Sequence, residues 1–108
     1  MPDMHNPATL RTMTTTTMDL LRTTVAALMH RTGESQGDLA AGLRLSQSQV
    51  SRKQAARSDW TLDDLDKLSA HYGIPPVDLI AGPTRACDAL PPARRAAIVG
   101  GHQTTISP

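Results

Sequence analysis

Phenylalanine is absent from this 108-residue chain, and Trp60 and Tyr72 are its whole aromatic complement. Proteins that hold single-stranded nucleic acid on RNP or OB surfaces stack bases on aromatic side chains, and two aromatics supply almost no platform for that. Cysteine is equally scarce: Cys87 alone closes no intramolecular disulfide and assembles no cysteine-rich zinc site. No apolar run approaches the roughly 20 residues of a membrane span. The start, Met1-Pro2-Asp3-Met4-His5, has neither a basic leader nor the apolar stretch of a signal peptide. These absences lead to the expectation of a cytoplasmic protein with no membrane partner.

What remains is aliphatic and rich in alanine, with 39% hydrophobic and 19% charged residues, a balance that favours helices around one modest core. No alternating strand pattern and no internal repeat interrupts that reading. Residues 1–15, with Pro2, Pro7 and the beginning of a threonine run, are expected to form a disordered tail. From Met18 the pattern changes, because Leu21, Val25 and Leu28 recur at i, i+4 and i+7 as a buried helical stripe requires. Thr16-x-x-Asp19 is its start signal and Gly33 its stop.

The same start signal returns as Ser35-x-x-Asp38, Ser46-x-x-Gln49 and Thr61-x-x-Asp64, each ahead of helical apolar spacing. Leu39, Ala40 and Leu43 mark the first of these helices and Val50 the second. Leu62, Leu65, Leu68 and Tyr72 mark the third, which Gly73 terminates. Pro75-Pro76 opens a fifth helix with Val77, Leu79 and Ile80 on its apolar side, ended by Gly82-Pro83. The expectation is an all-α, five-helix domain over residues 16–82, followed by a C-terminal tail over 83–108 with a short helix near 93–99.

Charge is distributed unevenly. Arg44, Arg52, Lys53 and Arg57 give the stretch 44–57 a charge of +4 with no acid in it, while the whole chain carries +1. Asp59, Asp63, Asp64 and Asp66 then reverse the sign. Short charge blocks commonly do no more than solvate a helix face, so this one gains meaning from the elements that carry it. The helices from Ser35 and from Ser46 are separated by Arg44 and Leu45, which is helix-turn-helix spacing. Ala40 sits where the two would cross, with Leu39, Leu45 and Val50 turned inward to set the angle. Gln47, Ser48, Gln49 and Arg52 then project outward, polar groups able to bond base edges in a major groove, with Lys53 and Arg57 beside them for phosphates.

Ser35-Gln36-Gly37-Asp38-Leu39-Ala40, followed by Leu45-Ser46-Gln47-Ser48-Gln49-Val50-Ser51-Arg52, resembles the helix-turn-helix of the phage lambda repressor and Cro type, the Xre family. The resemblance runs through the segment 61–69 and Tyr72-Gly73-Ile74-Pro75 to Leu79-Ile80, so it covers 20–82. It implies a compact lambda-repressor-like domain in which Gln36 braces phosphate and supports the reading helix. It also implies that Gln47 reads adenine and that Ser48, Gln49 and Arg52 face the groove, the arginine favouring guanine. One departure stands out. Many members carry Glu and, two residues later, Gly at the end of the reading helix; this chain has Gln54 and Ala56, so the reading helix is expected to run longer.

The functional expectation is a sequence-specific regulator of transcription that binds double-stranded DNA as a small repressor or Cro-like homodimer. About 26 residues follow Gly82, so dimerisation is expected to use the fifth helix and the tail. The alternative is an antitoxin-like module that binds DNA and also captures a protein partner through one of its tails. No cofactor is implied and no enzymatic role: His30 and His71 have no second His or Cys at i+3 or i+4, Cys87 reads as an incidental thiol, and no Ser, His and Asp share a catalytic spacing.

Overall fold

Each of the three complete start signals opens its helix with a reciprocal pair of hydrogen bonds, in a computed structural model that describes residues 16–94. The Asp38 N–H donates to Ser35 Oγ and the Ser35 N–H to the Asp38 carboxylate, both at 3.0 Å. Gln49 and Ser46 repeat the exchange at 3.1 and 2.8 Å, and Asp64 and Thr61 at 3.0 and 2.9 Å. Thr16 makes half of the motif, accepting from the Asp19 N–H at 3.0 Å, while the Asp19 carboxylate turns to Arg22 Nη1 at 3.3 Å. The helices are α1 (Thr17–Thr32), α2 (Gln36–Leu43), α3 (Gln47–Gln54), α4 (Leu62–Tyr72), α5 (Pro76–Leu79) and α6 (Pro83–Ala89).

Helix ends follow one rule with two kinds of residue. After α1 and α4, Gly33 and Gly73 take left-handed backbone at φ 76° and 73°, and the next N–H bonds the carbonyl five residues back, Glu34 to Met29 and Ile74 to Ser69. After α2 and α3 the same closure occurs, Leu45 to Ala40 and Arg57 to Arg52, yet the left-handed positions are Arg44 at φ 59° and Ala56 at φ 64°. A side chain there costs about 1–2 kcal/mol. The longer reading helix is therefore corrected: α3 stops at Gln54 without a glycine.

Leu21, Val25 and Leu28 of α1 meet Leu39, Ala40 and Leu43 of α2, Val50 of α3, Leu68 and Tyr72 of α4, and Leu79 of α5 in one core. Each fully buried leucine contributes about 1.5–3 kcal/mol by leaving water. The five-helix count is also corrected. Residues 83–89 form α6, the main packing partner of α1, and Ala86, Cys87 and Leu90 complete the core. A further helical segment occupies 92–94. Pro83, with Gly82, ends the segment before it and is also the first residue of the next helix, where a missing N–H costs nothing. The apolar side expected of α5 is largely outside: Leu79 is buried, but Val77 and Ile80 are 65% and 39% exposed, and Leu62 of α4 is 82% exposed. The tail expected over 1–15 and most of the helix expected near 93–99 lie outside the described residues. Among the described residues no helix is long and apolar enough to cross a membrane.

Candidate nucleic-acid interface

The second motif helix, α3, divides cleanly by side. Val50 is buried and Lys53 and Gln54 are half-buried, whereas Gln47, Ser48, Gln49, Ser51 and Arg52 are exposed. Val50 is the apolar anchor; the side away from it carries polar groups that do not build the core. Gln47, Ser48 and Arg52 make no side-chain hydrogen bond or ion pair to another described residue. Gln49 is partly committed, its carbonyl accepting from the Ser46 N–H at 2.8 Å, which leaves its NH2 group facing outward. Ser51 was not singled out from sequence, although its place three residues after Ser48 already put it on the same arc.

The first turns of α2 and α3 lie against one another. A Cβ on Gly37 would lie 3.4 Å from Gln47 Oε1, so the Gln47 amide rests on the first turn of α2, against Gly37. The half-buried Gln36 is the first residue of that helix. The structure thus brings Gln36 and Gln47 to adjoining helix starts.

Of the four basic residues in the 44–57 block, Arg44, Arg52 and Arg57 are exposed. Lys53 does not stand with them. Its ammonium donates to Asp64 Oδ2 at 2.7 Å and to the Asp59 carbonyl at 3.0 Å, and it lies 5.7 Å from the centre of the Trp60 ring. Its assignment to phosphate is therefore corrected: on the wheel of α3 it falls beside Val50, and its charge is spent on a buried carboxylate. Burial pushes the Asp64 carboxyl up, but the bonds from Lys53 and Thr61 outweigh it and hold the group below its ordinary value.

Two further anchors, neither recognised from sequence, fix the motif to its surroundings. Arg22 of α1 donates from Nε to the Lys53 carbonyl at 2.7 Å and from Nη2 to the Ser58 carbonyl and to Asp59 Oδ1, each at 3.0 Å. Gln54 returns a bond to the Arg22 carbonyl at 3.1 Å and accepts from Trp60 Nε1 at 2.9 Å. At the other end Glu34, just before the cap of α2, accepts from Tyr72 Oη at 2.8 Å and Thr32 Oγ1 at 3.1 Å. Its second oxygen meets His71 Nε2 at 2.5 Å and Arg94 Nη2 at 3.5 Å. Burial pushes the Glu34 carboxyl up, yet His71, Tyr72 and Thr32 prevail and bring it down to about 2. Burial and the facing Glu34 charge raise the Tyr72 hydroxyl well above its usual range. A helix-period reading shows Arg22 as one of several polar residues on α1; apart from Asp19, its partners lie more than thirty residues away and leave no local signal.

The chain matches the family described as BetR domain over residues 16–106. No curated protein and no solved structure matches it.

Proposed function

Because the chain belongs to the BetR-domain family, whose domain is a DNA-binding one of helix-turn-helix type, we propose that it is a sequence-specific transcriptional regulator acting on double-stranded DNA as a small repressor. In this reading α3 enters the major groove. Gln47, Ser48, Gln49 and Arg52 face base edges, Gln36 and Arg57 hold phosphates, and the protein works in the cytoplasm. The observation that carries it is the division of α3: one side is pinned by Val50, Lys53 and Gln54, while the polar side chains opposite are exposed. Donors and acceptors left open in this way suit base recognition.

A homodimer on a two-fold operator fits the exposed apolar residues. Leu62 and Ile80 line one cleft with Met18, Leu21, Trp60 and Leu65, and Val77 stands three residues before Ile80 on the outside of α5. A second copy placed there would remove this surface from water.

The experiment is selection of bound duplexes from a random pool, followed by titration of variants on the enriched duplex and on a scrambled one at a single salt concentration. Gln47→Ala and Arg52→Ala should lose about 1–3 kcal/mol on the enriched duplex and less on the scrambled one. Arg57→Ala should weaken both alike. Equal losses on both duplexes for the first two variants would remove α3 as the reader.

A further inference from the structure

We infer that Arg22 of α1 is a positioning residue for DNA recognition: its guanidinium caps the C-terminal end of α3 and thereby fixes where Arg52 and Arg57 stand. The inference rests on the reading of α3 given above, but its structural half can be judged without DNA.

The end of α3 lacks the residue that normally makes such an end easy. Ala56 occupies a left-handed position at φ 64°, where glycine would carry no steric cost. Three N–H groups nonetheless fold back onto the last turns, Ala56 to Lys53, Arg57 to Arg52 and Ser58 to Arg52, at 3.4, 2.9 and 3.3 Å. The carbonyls of the last turn of a helix have no partner within it. One of them, on Lys53, receives Arg22 Nε at 2.7 Å, and the carbonyl of Ser58, on the far side of the turn, receives Nη2 at 3.0 Å. A single planar guanidinium therefore spans the turn from the last turn of the helix, at Lys53, to its exit at Ser58, straddling Ala56 in the chain. A positive charge at this end also complements the helix dipole.

The clamp is itself held. Asp19 and Asp59 pair with its two terminal nitrogens at 3.3 and 3.0 Å, the Arg22 side chain is only 13% exposed, and Gln54 binds the Arg22 carbonyl. Between the carbonyl grips, at Lys53 and Ser58, lies Arg57; one residue before the first grip lies Arg52. Arg22 is placed to touch neither base nor phosphate in the proposed docking, so its effect on binding would pass through the backbone it fixes. Lysine could not reproduce it, since a single ammonium lacks the planar fork that reaches Lys53, Ser58 and Asp59 together.

The test compares the parent chain, Arg22→Gln, Ala56→Gly and the double variant. Amide hydrogen exchange is read at Ala56, Arg57 and Ser58, with Leu43 and Leu68 as core references, and affinity is titrated on the duplex enriched by the parent and on its scrambled counterpart. Arg22→Gln should raise exchange at the three turn amides about tenfold more than at the references. It should weaken binding to the enriched duplex about tenfold, with a smaller loss on the scrambled one. Ala56→Gly in the double variant should recover at least half of both losses, because it removes the strain that the clamp opposes; a general loss of fold would not be recovered at that one position. Turn exchange that rises no more than the references, or a double variant no better than Arg22→Gln, would overturn the inference. Should Arg22→Gln fail to fold, Arg22→Lys serves with the same readouts. If the parent enriches no duplex, the proposed function fails while exchange and rescue still decide whether Arg22 fixes the turn.

Discussion

The ring of His71 occupies the space that a side chain on Gly42 would need: a Cβ built there lies 2.5 Å from both Nδ1 and Cε1 of the imidazole. The missing side chain lets α4 approach α2 closely enough for His71 to reach Glu34. Replacing a helical glycine with alanine ordinarily stabilises by about 1 kcal/mol. Gly42→Ala should do the reverse, lowering stability by about 1–3 kcal/mol through overpacking and displacing His71 from Glu34. Thermal melting checks the sign, and an increase in Tm would show that the ring moves aside freely.

The Glu34 cluster predicts an acid limb in stability. Its carboxyl sits at about 2 in the folded chain against an ordinary 4.5, so the folded form binds its proton later than the unfolded one. The resulting stabilisation is present above about pH 4.5 and is lost as pH falls toward 2. Glu34→Gln should lower stability near pH 7 by about 2 kcal/mol and flatten the decline over that window. Denaturant titrations from pH 7 down to the acid transition measure both, and parallel pH profiles for parent and variant would assign the limb to other carboxylates.

Lys53 and Arg57 should separate, although the sequence puts them in one basic block. Lys53→Met leaves the buried Asp64 without its cation and should cost about 2–4 kcal/mol of stability, with the salt dependence of DNA binding nearly unchanged. Arg57→Ala should leave stability within about 0.5 kcal/mol and reduce the slope of log affinity against log salt by about 1. A reduced slope for Lys53→Met would return that lysine to the phosphates.

Ala56→Gly alone should raise stability by about 1 kcal/mol, the relief of left-handed strain exceeding the added freedom of the unfolded chain. Chemical denaturation gives the value; destabilisation would mean that the alanine methyl makes a contact worth more than its strain.

The proposed dimer predicts a solubility and mass effect at one face. Leu62→Asp or Ile80→Asp should shift the sedimenting species toward the monomer without altering helical content, and should weaken binding to a two-fold operator more than to a half-site. A mass unchanged by either substitution would move the interface elsewhere.

The elements most legible in the sequence were those encoded by neighbours. Ser35, Ser46 and Thr61 announced their helices because a capping box needs residues three apart, and Gly33 and Gly73 announced the ends of α1 and α4 because φ above zero favours glycine. The exposed arc of α3 followed from one buried residue, Val50, and helical geometry. What escaped was set by distant partners. Lys53 looked like its arginine neighbours until Asp64 came within 2.7 Å of it. Ala56 looked unable to end a helix until Arg22 supplied the missing grip. Pro83 carried two meanings, breaker and first helical residue, and the choice was made by α1, against which α6 packs.

Gln49 apart, whose amide also caps α3, the groups that would read DNA and the groups that hold the fold together are different side chains on one short helix. Gln47, Ser48, Ser51 and Arg52 face outward, while Val50, Lys53 and Gln54 carry the attachments to the rest of the domain. Such a helix can be rewritten on its outer side without reopening the question of whether the protein folds. Target preference is then free to drift, or to be engineered in a library confined to four codons, on a scaffold that does not change.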